Sequence, residues 1–128
     1  MNTVIKTNKA PAAFGPYVQG IKSGNLIFTS GQIPVDPKTG NIPEKIEHQT
    51  RQALQNIKGV VEEAGCNMSQ VIKMTIYLTD MNDYDTFNDN YKSFFDNLSS
   101  NYPARTCVEV SRLPKNVKIE IDAVLSSK

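Results

Sequence analysis

The segment from residue 102 to residue 122 constrains the fold more than any other part of the chain. It holds two stretches in which β-branched residues recur at every second position, and a Leu-Pro-Lys-Asn run at residues 113–116 separates them. Alternation with a period of two predicts strands, and a Pro-containing polar run between them predicts a turn. We therefore expect two strands that pair antiparallel in one sheet.

These two strands carry one arginine and one glutamate of chemical interest. Arg105 lies where an X-Pro turn leads into the first strand, and Glu120 stands between Ile119 and Ile121. Because strand side chains alternate, Glu120 lies on the face opposite its two neighbours. Antiparallel pairing would bring the guanidinium and the carboxylate toward one end of the same sheet. That end is a suitable place to hold a small carboxylic acid and a water.

Two segments change to a helical period. Between residues 44 and 64, apolar residues recur at spacings of three and four, and Gly65 provides a stop. A second helix is predicted from an N-cap at Asp83 to about Phe95. Its apolar stripe also contains one polar residue, Asn88, and the aromatic members of the stripe are Tyr84, Phe87, Tyr91, Phe94 and Phe95.

The remaining strands follow from alternation and turn signals. A short strand is predicted at Val4-Ile5, and Gly24-Asn25 predicts a hairpin between residues 17–22 and 26–30. The longest strand is predicted over residues 71–79. Its side chains divide into one face with Ile72, Met74, Ile76 and Leu78 and another with Val71, Thr75 and Tyr77.

The order of these elements predicts an α+β fold. We expect a roughly six-stranded mixed sheet with two helices on one face, in the order ββ(β)αβαββ, within one domain over residues 1–128. The second sheet face carries aliphatic and aromatic residues that a domain of this size cannot cover. We therefore expect an oligomer.

Composition excludes several classes of function. The formal charge is +1, from 14 basic and 13 acidic residues, and the lysines are dispersed, so we expect no nucleic-acid partner. No apolar run reaches the roughly 18 residues of a membrane span, and the N-terminus lacks a secretory pattern. We expect no membrane association and a cytoplasmic location, where Cys66 and Cys107 would remain thiols.

Metal and thiol chemistry find little support. Glu44 and His48 have helical i,i+4 spacing, but the sequence provides no third metal ligand beside them. The aspartates from Asp80 onward resemble a calcium-binding loop, but the loop positions that require glycine and glutamate are occupied by Asp85 and Tyr91. We therefore predict no metal site. His48 is the only histidine, so no Cys-His pair is specified that would make Cys107 a nucleophile.

Several motifs resemble one protein family. Residues 103–121 (PARTCVEVSRLPKNVKIEI), Gly15-Pro16-Tyr17-Val18-Gln19 and residues 30–34 (SGQIP) are similar to signatures of the RidA (YjgF) family, the reactive-intermediate imine deaminases. Asn88 falls where that family has an asparagine in its second helix. The resemblance runs from about Pro11 to Ala123. The chain departs from the pattern at Val18, where serine is usual, and at Gly20, where alanine is common.

The resemblance implies a fold, an assembly and an activity. The fold would be chorismate-mutase-like, with three subunits around a central barrel and sites between subunits. The activity would be hydrolysis of short 2-imino and 2-enamino acids, such as 2-aminoacrylate and 2-aminocrotonate, to 2-oxo acids and ammonia. In the family these substrates are released by pyridoxal-phosphate-dependent dehydratases, and the deaminase itself needs no cofactor.

The resemblance also implies roles for individual residues. Arg105 would hold the substrate carboxylate through its paired donors, and Glu120 would orient or deprotonate the attacking water. By periodicity alone, Glu109 and Asp122 compete with Glu120, and Asn88 is equally well explained by a structural hydrogen bond. The predicted substrate-binding residues are Tyr17, Ser30, Gly31, Asn88, Arg105 and Cys107, with Gly31 and Cys107 acting through backbone groups.

Two alternative functions stay open at this point. The same pocket can bind a 2-oxo acid as a sensor without turnover, and for that role the second carboxylate of Glu120 is unnecessary. Ribonuclease activity or inhibition of translation are also attached to the family, but a near-neutral charge argues against strong RNA affinity.

Overall fold

The computed structural model describes residues 2–128 and contains six strands and two long helices. This confirms the predicted α+β class. The strands are β1 (Thr3–Ile5), β2 (Gly20–Ser23), β3 (Leu26–Thr29), β4 (Val71–Leu78), β5 (Ala104–Glu109) and β6 (Ile119–Ser126), and the helices are α1 (Ile46–Glu63) and α2 (Tyr84–Asn97). Short 3₁₀ turns precede β4, α2 and β6.

The six strands form one mixed sheet in the order β1-β2-β3-β6-β4-β5. All neighbours are antiparallel except β4 and β5, which are parallel. The predicted hairpin between β2 and β3 is confirmed. Its turn is Gly24-Asn25, and Gly24 has a φ of 62°, a conformation that glycine adopts without steric cost.

The predicted antiparallel pairing of the last two strands is wrong, because β4 lies between β5 and β6. β4 is eight residues long and its core-facing side chains are fully buried, so pairing on both edges places the most apolar strand at the centre. The connection over residues 110–118 has room to cross the end of β4. There the Thr79 N–H donates to the Lys118 carbonyl at 3.1 Å.

Both helices pack on the same face of the sheet, as predicted. We call this the core face and the other one the open face. The core combines apolar residues of α1, α2, β4 and β6, which include Leu54, Ile57, Val60, Phe87, Phe95, Met74, Ile76, Leu78, Ile119 and Ile121. Neither helix in residues 2–128 is long and apolar enough to span a bilayer.

The start of β4 differs from the predicted alternation. The pairing register with β6 shifts between Val71 and Lys73, which is a bulge at Ile72. Val71 is therefore in the core, at 5% exposure, while Ile72 is 48% exposed. The prediction was wrong for these two residues. It was correct for Met74, which is buried, and for the face that carries Thr75 and Tyr77.

Amide side chains on α1 fix the loops beside the sheet. The buried Asn56 donates to the carbonyls of Ile33 at 3.0 Å and Val35 at 2.9 Å. Gln49 accepts from the Lys118 N–H at 2.8 Å. Two loops that would otherwise carry unpaired backbone groups are thus attached to a rigid helix.

Gly59 gives a test of this packing. A Cβ at Gly59 in α1 would lie 2.6 Å from the Lys9 carbonyl oxygen, so the N-terminal loop must move away. Overpacking of this kind costs about 1–3 kcal/mol, which exceeds the roughly 0.5–1 kcal/mol that alanine gains over glycine in a helix. We expect Gly59→Ala to lower the free energy of unfolding, measured by urea denaturation.

The matched control is Gln55→Ala, an exposed position in the same helix. It should change the free energy of unfolding by less than about 0.5 kcal/mol. A Gly59→Ala variant more stable than wild type would show that the loop does not pack against the helix at this position.

Candidate functional site

Two cavities contain most of the predicted site residues. The first, which we call the glutamate cavity, has a volume of about 290 Å³ and is lined by Pro11, Phe14, Tyr17, Ser30, Gly31, Gln32, Ile33, Pro114 and Glu120. The second, the arginine cavity, has a volume of about 280 Å³ and is lined by Asn88, Tyr91, Lys92, Tyr102, Pro103 and Arg105. The predicted site is therefore divided into two parts within one chain.

The register of the sheet explains this division. Arg105 is paired with Met74, a buried residue of the core face, whereas Glu120 is paired with Tyr77 on the open face. Side chains on opposite faces of a sheet cannot meet around one small ligand. The expectation that Arg105 and Glu120 converge at one end of one sheet is thus wrong for a single chain.

The Arg105 guanidinium lies among aromatic rings of α2. Its Cζ is 4.8 Å from the ring centroid of Tyr91, 5.3 Å from that of Phe87 and 5.7 Å from that of Tyr84. Its Nη2 also donates to the Tyr84 hydroxyl at 2.6 Å. The aromatic faces attract the cation without neutralising it. No carboxylate of residues 2–128 forms an ion pair with it.

The other two predicted residues of this region take different positions. Asn88 is half-buried on α2 and lines the arginine cavity beside Arg105. Cys107 is on the same strand and face as Arg105, but it packs against the hydrophobic core and lines neither cavity. Burial raises the pKa of its thiol, against the opposing effect of the Arg105 charge. The thiol is therefore neutral and a poor nucleophile.

Glu120 is the carboxylate that the structure singles out among the three candidates. It is half-buried, and burial raises its pKa, with a further contribution from the nearby negative charge of Asp122. Asp122 is engaged by the Tyr77 hydroxyl, which donates to it at 3.0 Å, and Glu109 accepts from the Met81 N–H at 2.7 Å. Of these three residues, Glu120 alone lines one of the two cavities described above.

Gly31 is required by the position of this glutamate. A Cβ at residue 31 would overlap the Glu120 carboxylate. Glycine at this position thus lets a carboxyl group lie directly against the backbone of the loop that follows β3. The sequence analysis predicted that Gly31 acts on the substrate through its backbone. In the structure, the Glu120 carboxylate lies against this position.

The rest of the glutamate cavity comes from two loops. The Ser30 hydroxyl donates to the Val18 carbonyl at 2.5 Å, which joins the loop after β3 to the segment before β2. The Tyr17 N–H donates to the Gly15 carbonyl at 2.8 Å, a three-residue γ-turn. Tyr17 and Ser30, two of the predicted substrate-binding residues, thus line the same cavity as Glu120.

Gln19 supports this cavity, and sequence analysis assigned it no role. It is buried, and its side chain accepts from the Thr7 N–H at 2.7 Å and donates to the carbonyls of Thr7 at 3.0 Å and Pro11 at 2.8 Å. It thereby fixes the loop that carries Pro11 and Phe14. The sequence signal that could have indicated this role is the position of Gln19 as the last residue of the Gly-Pro-Tyr-Val-Gln motif.

The apolar wall of the glutamate cavity was also missed. Phe14, Ile33 and Pro114 come from three segments far apart in sequence. No spacing rule connects such residues, because only the folded sheet brings their loops together. The only sequence feature that these three residues share is their position in loops, where binding residues are common.

Comparison with known proteins places this geometry in a family. The family model described as endoribonuclease L-PSP matches residues 7–126. TdcF of Escherichia coli K12, whose name assigns it to the reactive intermediate deaminases, is 52% identical over 124 residues, which cover 97% of this chain and 96% of TdcF. The 2-iminobutanoate/2-iminopropanoate deaminase of the same strain is also 52% identical over 124 residues and 97% of each chain.

Solved structures agree with the sequence relatives. The crystal structure of E. coli TdcF with bound serine matches with a TM-score of 0.97 at 50% identity, covering 98% of this chain and 99% of that one. The crystal structure of the E. coli YjgF gene product matches equally well, with a TM-score of 0.97 at 50% identity. Motifs, fold and relatives therefore agree that the chain belongs to the RidA (YjgF) family.

Proposed function

We propose that this chain is an enzyme that hydrolyses short 2-imino acids, and their 2-enamino tautomers, to 2-oxo acids and ammonia. The observation that carries the proposal is the state of Arg105, a partly buried guanidinium held by three rings and paired with no carboxylate of the described chain. Such a group suits the carboxylate of a small anionic substrate. The relatives named as deaminases support the same reaction.

We infer that the active site is completed by a second copy of the chain. The glutamate cavity of one subunit would face the arginine cavity of its neighbour, so that Glu120 and Arg105 act on one substrate. The open face supports this assembly, because Phe28 and Val108 are exposed on it in a single chain. Burial of these apolar side chains between subunits would be favourable. A trimer with a closed ring of interfaces would both unite the two cavities and cover the open face of each subunit.

The chemistry then needs only protein groups and water. Arg105 binds the carboxylate and orients the iminium carbon, C2, toward the glutamate cavity. Glu120 accepts a proton while the water oxygen forms a bond to C2, which gives a carbinolamine. Return of that proton to nitrogen makes ammonia the leaving group. The carbinolamine hydroxyl then gives its own proton to Glu120 while its oxygen electrons close the carbonyl, and the C2–N bond breaks with its electron pair leaving on ammonia. Orientation in a two-sided cavity contributes much of the acceleration.

The raised pKa of Glu120 suits this role. A carboxyl group whose pKa lies above its ordinary value of 4.5 is a stronger base, and after accepting a proton it can also return it. A sensor that only binds a 2-oxo acid has no use for such a group beside the ligand. The cytoplasm stays the predicted location, and two free thiols, Cys66 and Cys107, are compatible with that compartment.

The first test concerns the carboxylate contact. Arg105→Lys keeps the charge but loses the two-pronged donor geometry, and Arg105→Ala loses both. A hydrogen bond to a charged group contributes about 1.5–3 kcal/mol, so the loss of one contact should lower kcat/KM roughly 10- to 150-fold. We expect alanine to come close to abolishing deamination and lysine to recover little of it.

The measurement is release of 2-oxo acid or ammonia from 2-aminoacrylate generated in situ by a dehydratase, relative to the rate without protein. Lys92, another cation of the arginine cavity, forms an ion pair with Asp96 at 2.8 Å and provides the control Lys92→Ala. It should cost far less than Arg105→Ala. Deamination that survives Arg105→Ala would show that the carboxylate binds elsewhere.

The second test concerns Glu120 and the pH dependence. Glu120→Gln keeps the size of the side chain but removes the base, so turnover should fall by roughly 10²-fold or more while 2-oxo acid binding persists. In wild type, kcat/KM should rise with pH as Glu120 loses its proton, with a midpoint above 4.5. The glutamine variant should lack this limb.

Asp122→Asn separates the causes of the raised pKa. It retains an acceptor for the Tyr77 hydroxyl but removes the negative charge that disfavours ionised Glu120. The acidic limb of kcat/KM should therefore move to lower pH. A limb that persists unchanged in Glu120→Gln would assign the titration to another group.

A further inference from the structure

One wall of the glutamate cavity is built entirely from apolar side chains. Glu120 and Ser30 provide polar groups, whereas Pro11, Phe14, Ile33 and Pro114 line the cavity with carbon. A volume of about 290 Å³ lies near the lower end, about 300 Å³, of cavities that hold drug-sized ligands. The cavity therefore has room for more than the shortest substrate side chains.

Phe14 is the residue of this wall whose position depends most on its immediate neighbours. It is 59% exposed, so the hydrophobic core does not fix its side chain. Its ring meets that of Tyr17 edge to face, with centroids 6.0 Å apart and an interplanar angle of 87°. The Lys115 Nζ also lies over the Phe14 ring, 5.2 Å from its centroid. An aromatic ring that contacts both a second ring and a cation has few alternative positions.

The loop that supplies Lys115 is strained. Lys115 and Asn116 have φ values of 56° and 55°, in the left-handed region that residues other than glycine rarely adopt. Backbone strain of this kind persists only where surrounding contacts fix it, and it concentrates at ligand-binding sites. Here the strained turn places Pro114 in the wall of the cavity and Lys115 over Phe14.

We propose that Phe14, held by Tyr17 and Lys115, determines how well the enzyme accepts branched or extended apolar side chains in addition to the short ones, relative to a single methyl group. The inference rests on the proposed function. With the substrate carboxylate on Arg105 and C2 beside Glu120, the side chain of the imino acid extends toward the apolar wall. Contact with the Phe14 ring removes that side chain from water, and the logarithm of kcat/KM increases with the apolar area that is buried.

The test compares the imines of leucine and alanine, each generated in situ by an amino-acid oxidase with catalase present. The measured quantity is the ratio of kcat/KM values, leucine-derived over alanine-derived, from 2-oxo acid release above the rate without protein. Phe14→Ala should lower this ratio about 10-fold, since each methylene contact in an apolar pocket contributes a factor of at least about 10. Phe14→Leu keeps an apolar side chain and should retain most of the ratio.

Lys115→Gly tests the cation separately. Glycine accepts the left-handed backbone without strain, so this variant should fold, while Phe14 loses its cationic partner. The ratio should fall about threefold, the scale of one exposed cation–π contact. All variants should elute from size exclusion like wild type.

The outcomes distinguish this inference from the proposed function. If wild type accelerates hydrolysis of the alanine-derived imine but Phe14→Ala leaves the ratio unchanged, Phe14 does not select side chains and only this inference fails. If wild type accelerates neither imine, the proposed function fails and this inference with it.

Discussion

The position of β4 between β5 and β6 is the constraint on which the rest of the structure depends. With its parallel neighbour on one edge and its antiparallel neighbour on the other, β4 fixes the face to which each side chain of both strands points. Arg105 then faces the helices and Glu120 faces away from them. One chain therefore carries these two residues, the two halves of the proposed site, on opposite faces and cannot bring them together by itself.

Each half holds a charged group without neutralising it. On the core face, the rings of α2 surround the Arg105 guanidinium, and their spacing along the helix is the same that buries Phe87 and Tyr91 in the core. On the open face, the absence of a side chain at Gly31 leaves space for the Glu120 carboxylate against the backbone, where burial raises its pKa. Packing thus serves stability and reactivity at the same positions.

The sequence was sufficient for the local elements, and most of the residues that it predicted for the site line one of the two cavities. Helical spacing located α1 and α2, and alternation located the strands, because these patterns depend on neighbours within one element. Tyr17, Ser30, Gly31 and Glu120 line one cavity, and Asn88 and Arg105 line another. The role of each in a reaction stays a prediction until it is measured.

Local sequence patterns could not predict the strand order, the bulge or the residues of the cavity walls. Which strands pair depends on contacts between distant segments, so a turn at residues 113–116 did not reveal that β4 separates its flanking strands. One extra residue at Ile72 reversed the faces of Val71 and Ile72 without a sequence signal. The buried amides of Gln19 and Asn56 act on loop carbonyls whose positions only the fold defines.

Subunit complementation tests the intersubunit site most directly. Arg105→Ala and Glu120→Gln chains with different affinity tags would be co-expressed, and only assemblies carrying both tags would be purified. Around a closed ring of three subunits, each mixed trimer contains one interface that unites an intact Arg105 with an intact Glu120, so activity should return to about one third of wild type. Activity no higher than that of either variant alone would contradict a site shared between subunits.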